Sequence, residues 1–300
     1  MTEDQALGEH VVVLGDERGG KYPHGRSLLV RGAEETAIID PSLAVVARSA
    51  ADRPRADRVL GSHCHEDHVA GNHLYPKASW HLHEADAPGL RSLEGMLAIY
   101  GMSGASAAAF GEAVVRDFHW TARPDVETFV DGAVFDLGGG CRVRAVHTPG
   151  HTRGHCVFAI EPDDVLYLGD IELTSFGPYY GDAWSSLEDF ERSLDLVRGL
   201  EARWYATFHH VGVLEGRAAF LDRLDRFAAV IAVRERRLLD FLTEPHSLDD
   251  VVRHRFVYRP GDAIPWADDV ERRSMGQHLA RLQSAGRVAE VEPGLYRAAR

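Results

Sequence analysis

The sequence predicts a mixed α/β fold of the α+β kind, with one large unit followed by a small one. Short strand-like runs separated by glycine-bearing turns open the chain and return from Thr128. Stretches with apolar residues at helical spacing lie between and after them. The C-terminal part then sets two helices before a hairpin. At 300 residues the chain is long enough for both units, and its 45% apolar fraction is ordinary for a water-soluble protein.

Taken in order, His10 to Leu14, Ser27 to Val30 and Thr36 to Ile39 read as an antiparallel start. Pro41-Ser42 bounds a helix over Leu43 to Ala51, and Arg58 to Leu60 is a short strand. Between Glu84 and Trp120 the chain is rich in Ala and Gly. There Leu93, Met96, Leu97 and Tyr100 fall at helical spacing before a loose Gly101-Met102-Ser103-Gly104 connection, which predicts a helical insertion. Strands follow over Thr128 to Val130, Val134 to Leu137, Arg142 to Val146, Cys156 to Ile160 and Val165 to Leu168. Ser185 and Glu188 make a capping-box pattern for a helix that turns Leu187, Phe190, Leu194 and Val197 inward.

A short strand begins at Trp204, and a long amphipathic helix then carries Phe220, Leu224, Phe227, Ile231, Leu238 and Leu242 on one stripe, ending before Pro245. Ser247 to Arg253 predicts a short capped helix and Asp269 to Ala285 a longer one stopped by Gly286. Arg287 to Val291 and Leu295 to Arg297 pair through Glu292-Pro293-Gly294. The expected division is a catalytic unit over 1–215, a linking helix over 216–243 and a small unit over 244–300.

The chemistry concentrates in His63-Cys64-His65-Glu66-Asp67-His68, directly after Val59-Leu60-Gly61-Ser62. Three imidazoles and a carboxylate in six residues are donors of the kind that hold zinc or iron, and alternation on an extended segment puts His63 and His65 on one side. A tight turn can aim Asp67 and His68 at a second position. Downstream, the turn Thr148-Pro149-Gly150-His151-Thr152 presents His151, Val165-Leu166-Tyr167-Leu168-Gly169-Asp170 ends a buried strand in a carboxylate, and Phe208-His209-His210 ends another in paired imidazoles.

In this order of motifs the chain resembles the metallo-β-lactamase-fold superfamily. The resemblance implies a four-layer αββα sandwich with a two-metal site between the edges of its sheets. It assigns His63, His65 and His151 to one metal, Asp67, His68 and His209 to the other, and Asp170 to the bridge. The last ligand stays open between His209 and His210, with His209 favoured because it follows the strand directly. Asp40, in Ile38-Ile39-Asp40-Pro41, matches an aspartate that supports a ligand through hydrogen bonds. The helices and terminal hairpin of 244–300 resemble a winged helix, as found in relatives of lactamase β-like protein 2.

Two zinc ions are the expected cofactors, with iron or manganese as alternatives. Bridged by Asp170, such a pair lowers the pKa of a shared water toward neutrality and supplies hydroxide as nucleophile. Asp67 and Asp170 are therefore the expected catalytic carboxylates. Tyr179 and Tyr180, in the segment after Asp170, are candidates to polarise a substrate carbonyl, and packing explains them equally well. The expected reaction is hydrolysis of a small ester, thioester or lactone, because Thr148 to His155 resembles glyoxalase II and lactonase motifs.

An endoribonuclease is the runner-up, suggested by Arg272, Arg273, Arg281 and Arg287. Against it stands a formal charge of −13, although His246 to Arg300 carries nine Arg against eight acidic residues. An iron-dependent persulfide dioxygenase and a metal-sensing regulator are further alternatives. Cys64, Cys141 and Cys156 form no paired framework and fit a reducing cytoplasm, the start of the chain shows no secretory signal, and no apolar run approaches a membrane span. A small molecule is the expected partner, membranes are not, nucleic acid is not favoured, and a homo-oligomer is compatible with the sequence.

Overall fold

The computed structural model describes residues 3–262 and 264–299. The first sheet has seven strands in sequence order: β1 (Gln5–Ala6), β2 (Val11–Val13), β3 (Leu28–Arg31), β4 (Thr36–Ile39), β5 (Arg58–Leu60), β6 (Ser79–His83) and β7 (Glu127–Phe129). The first four pair antiparallel and the rest parallel. The second sheet runs in reverse order from β13 (Val213–Glu215) through β12 (Trp204–Ala206), β11 (Val165–Tyr167), β10 (Cys156–Glu161) and β9 (Arg142–His147) to β8 (Val134–Asp136). Only β11 and β12 in it are parallel, because a helical crossover joins them.

The strands owe their two-sided burial to alternation. Leu28, Val30, Ala37 and Ile39 face Phe158, Val143, Tyr167 and Ala206 in the core between the sheets. Their neighbours Leu29, Ile38 and Val59 point outward, onto a layer made by α1 (Leu43–Val46), α2 (Ala87–Arg91), α3 (Leu93–Tyr100) and α4 (Gly104–Asp117). On the second sheet Val157, Leu166 and Tyr205 likewise face α5 (Leu187–Arg198) and α6 (Arg217–Phe241). Period-two strands buried on both faces thus give four layers, helices outside and two sheets within.

A small unit follows. It contains α7 (Leu248–His254), α8 (Ala267–Ser284) and a sheet ordered β14 (His246–Ser247), β16 (Leu295–Ala298), β15 (Val288–Glu292). Its core joins Val251, Phe256, Met275, Leu279 and Leu282 to Leu238 and Leu242 from the end of α6. Ser247 caps α7 reciprocally with Asp250.

Three local expectations change. The N-cap of α5 is Ser186, whose Oγ accepts from Asp189 N, while Ser185 Oγ donates to the carbonyl of His151. α1 stops after one turn rather than reaching Ala51. Strands β1, β6, β13 and β14 were not expected; β6 reads Ser-Trp-His-Leu-His, and its burial comes from the parallel neighbours β5 and β7. Among the described residues no helix is long and apolar enough to cross a membrane.

Candidate metal centre

The loops after β4, β5, β9, β11 and β12 converge on one another and bring together every histidine and aspartate expected as a ligand. His63, His65, His151 and Asp170 offer donor atoms that all lie within 4.8 Å of one another, and so do Asp67, His68 and His209. His65 Nδ1 stands 3.0 Å from His151 Nε2. His209 Nε2 stands 2.9 Å from Asp67 Oδ2. Asp170 sits between the groups, with Oδ2 3.2 Å from His151 Nε2 and Oδ1 2.9 Å from His68 Nε2. His210 lies outside the cluster and is exposed.

Four of the imidazoles are held by a hydrogen bond at the outward nitrogen, which leaves the other aimed inward, while His65 has only a close carboxylate there. His63 Nδ1 meets Ser62 Oγ at 3.0 Å, and His68 Nδ1 meets Asp40 Oδ2 at 2.8 Å. The ring of His151 donates from Nδ1 to the carbonyl of Tyr179, and His209 Nδ1 faces the carbonyls of Gly20 and His24. His65 Nε2 lies 3.0 Å from Asp182 Oδ2. Partners on the outer nitrogens fix tautomer and orientation, as metal-binding imidazoles require.

Asp40 does more than hold His68. Its carboxylate also accepts from Ser62 N at 2.7 Å and from Tyr167 OH at 2.8 Å, and these bonds keep the residue in the left-handed region at φ 48°. Asp86 ties the two histidine loops together by accepting from Thr152 Oγ1, Gly154 N and Cys64 N. Gly169 turns the chain at φ 51° before Asp170, where a Cβ would meet His155 Nε2 at 2.7 Å. That nitrogen accepts the Asp170 N–H at 3.1 Å, and burial pushes His155 down to about 3, so it stays neutral. Cys64 packs behind the loop, in the core against α2 and α3.

Charges in the cluster add to burial at His63 and oppose it at His68 and Asp170. Burial and then the neighbouring rings of His68, His65 and His151 hold His63 well below the ordinary imidazole value. For His68 burial acts the same way, but Asp170, Asp67 and Asp40 outweigh it and lift the ring well above that value. Asp170, which burial alone would raise, is held well below the usual carboxylate range by His68, His151 and His209.

The donor set fits metal ions. His63 Nε2, the outer His65 Nε2 with Asp182 Oδ2, and His68 Nε2 and Asp170 Oδ1 are buried without a hydrogen-bond partner among the described residues. The last two are 2.9 Å apart yet misaligned for a hydrogen bond. Buried polar atoms left so are costly unless something else satisfies them, and a shared cation does. A tetrahedral ion with bonds of about 2.1 Å keeps its donors roughly 3.4 Å apart, close to the spacings above.

The tyrosines separate. Tyr179 touches the site through its carbonyl on His151, and its hydroxyl donates to Asp182 Oδ1 at 3.0 Å. Tyr180 departs from the expectation of a hydroxyl near the metals. It is buried, its hydroxyl lies 2.8 Å from His278 Nε2 on α8, and Arg234 on α6 donates to it. The alternation that puts Tyr179 beside His151 turns its neighbour to the other side.

Sequence reasoning missed Asp182, Asp86, Glu66 and Glu172. Glu66 is buried, its carboxylate accepting from Tyr22 OH at 2.9 Å and from Tyr100 OH. Glu172 forms a third donor group with Asp170 and His209, and burial first, then Asp170, raises it to about 7. A carboxylate between the apolar Ile171 and Leu173 was the one signal that could have marked it. The four arginines that suggested RNA are engaged. Arg272 pairs with Asp249, Arg281 with Glu191 and Glu235, Arg287 with Glu235, and Arg273 donates to the carbonyls of Gly101 and Gly181.

Comparison with known proteins agrees with this architecture. Residues 23–233 match the metallo-beta-lactamase superfamily domain, and the chain belongs to that superfamily. A hydroxyacylglutathione hydrolase of Methylococcus capsulatus is 31% identical over 212 residues, which cover 66% of this chain and 70% of that protein. An atrochrysone carboxyl ACP thioesterase of Aspergillus fumigatus is 32% identical over 79 residues, 26% of this chain and 22% of that protein. A metallo-beta-lactamase family protein from Thermus thermophilus shares the fold, with a TM-score of 0.69 and 23% identity over 98% of this chain and 100% of that one.

Proposed function

We propose that the protein is a metal-dependent hydrolase of thioesters. The observation that carries this reading is Asp170, whose two oxygens face the two donor groups separately, Oδ2 toward His151 and Oδ1 toward His68. His63, His65 and His151 would hold one ion, Asp67, His68 and His209 the other, and Asp170 would join them. Zinc is the expected metal, with iron or manganese as alternatives. Bound there, the ions supply Lewis acidity to a carbonyl oxygen and lower the pKa of water near neutral pH.

The chain's own residues do the rest. Asp67 would offer Oδ2, 2.9 Å from His209 Nε2, to the second ion, and its Oδ1, 4.0 Å from His68 Nε2, would take the proton of the attacking water. Water adds to the acyl carbon, the C–S bond breaks, and the products are a carboxylate and a thiol. Asp182, steadied by Tyr179 OH, orients His65 and so positions the first donor group. The relatives named for hydroxyacylglutathione and acyl-carrier thioesters favour a thioester over a lactone or simple ester. The paired arginines of 272–287 weigh against RNA.

The test is a panel of acyl thioesters, lactones, phosphodiesters and short RNA, run on protein of measured metal content. Thioesters should be turned over at least ~100-fold faster than the other classes, a discrimination within reach of about 3 kcal/mol in the transition state. RNA cleavage without thioester turnover would overturn the reading.

A further inference from the structure

We propose that Glu172 is a further carboxylate donor at the second metal position, where with Asp170 and His209 it makes an oxygen-rich face that favours manganese- or iron(II)-type ions. This rests on the two-metal reading above and adds a residue that the sequence motifs leave out.

The geometry is specific. A carboxylate oxygen of Glu172 lies within 4.8 Å of donor atoms of both Asp170 and His209, each of which also belongs to one of the other two groups. Its position follows from the chain: Ile171 and Leu173 on either side are buried in the core against α5 and α6, so the residue between them is turned back to the cluster. Among the described residues its carboxylate has one hydrogen bond, a long one of 3.3 Å from Thr174 Oγ1. No arginine or lysine pairs with it among the described residues, although it stands in a pocket that already holds Asp67 and Asp170. An acidic side chain in such company needs a cation.

A second observation points the same way. At this position Asp170 Oδ1 and His68 Nε2 are buried and without a hydrogen-bond partner, so the site has donors to spare beyond what the protein itself satisfies. Counting Glu172, two donor groups that share His209 bring three carboxylates and two imidazoles around the second position. Zinc is content with four donors, mostly nitrogen or sulfur, whereas manganese and iron(II) take more donors and more oxygen. Adding a carboxylate shifts the balance between these ions without altering the first position, where three imidazoles dominate.

The experiment uses full-length protein stripped of metal, in the wild type and in Glu172→Gln and Glu172→Asp. The first variant removes the charge at nearly the same size, and the second keeps the charge but withdraws the donor by one methylene. Cobalt(II) is added stepwise while visible absorption is recorded, and manganese and zinc then compete at equal concentration with bound metal counted. The wild type should show weak bands for its second cobalt ion, typical of five or six donors. Both variants should show stronger, four-coordinate bands and at least a tenfold loss of manganese affinity, with zinc affinity changed less than threefold. Equal cobalt spectra and equal manganese affinity in all three proteins would overturn the inference while leaving the two-metal site intact. Failure of the wild type to take a second ion of any kind would instead overturn the two-metal reading, and this inference with it.

Discussion

His65 and His209 each face a carboxylate, and the consequence is a pH dependence that can be measured. Burial lowers both rings, but Asp182 beside His65, and Asp170 with Asp67 beside His209, override it and lift each to about 9. In the metal-free protein these rings bind a proton more tightly folded than unfolded, where the ordinary value is about 6.5. Their stabilisation is complete below about pH 6.5 and is lost as the pH climbs through about 9. Metal needs the unprotonated nitrogen and must displace those protons. The rise in melting temperature on adding metal should therefore grow between pH 6.5 and 9, and a flat rise across that range would contradict it. Asp182→Ala should weaken metal binding at the first position by roughly 10–100-fold in chelator competition, because it frees the outer nitrogen of His65. The seven donor residues were legible in the sequence because short motifs carry them on strand ends, and their grouping followed from the resemblance those motifs carry. Asp182 and Asp86 were not, since their partners are 117 and 66 residues away or set by loops that only folding brings together.

Among elements, the segment between β11 and α5 depends on helices far along the chain. Arg234 of α6, almost wholly buried, donates to the carbonyls of Phe176 and Pro178 and to Tyr180 OH. Gln277 of α8 donates to the carbonyl of Tyr180 and accepts from Leu187 N. The same segment supplies the Tyr179 carbonyl to His151 and Asp182 to His65, so its outer brace and its inner contacts form one chain of bonds. Arg234→Ala leaves those carbonyls unpaired and should cost ~3 kcal/mol in denaturant unfolding, together with weaker binding at the first metal position. An unchanged unfolding midpoint would show that the brace contributes nothing. The helical stripe of α6 was plain from apolar spacing, but an arginine in that pattern reads as solvated until its partners are known. Ser185 shows the same limit: the capping pattern predicted the right helix, and tertiary contact with His151 moved the cap to its neighbour.

At the scale of the whole molecule, α6 belongs to two cores. Phe220, Leu224, Phe227 and Ile231 pack under the second sheet, while Leu238 and Leu242 pack with Met275, Leu279 and Leu282. The expected boundaries at residues 215 and 243 thus bracket a helix whose single apolar stripe is buried in two successive cores, and we propose that the C-terminal unit serves to brace the catalytic one. Calorimetry should show a single cooperative unfolding transition, and two well-separated transitions would contradict that coupling. Strands and helices were legible one by one from alternation and apolar stripes, whereas their stacking in four layers came only from the resemblance carried by the metal-binding motifs. The polar contacts between the two units, such as Gln277 with Tyr180 and Leu187, were not legible, because they join residues 97 and 90 positions apart.

If Asp170 joins two metal ions in a thioester hydrolase, its removal should cost both metal and turnover. Wild-type protein and Asp170→Ala should be compared for metal ions per chain and for thioester turnover on the same samples. The account predicts two ions in the wild type, fewer in the variant, and a loss of turnover of at least ~1,000-fold, on the order of 4 kcal/mol of transition-state stabilisation. A variant that kept full turnover would contradict it.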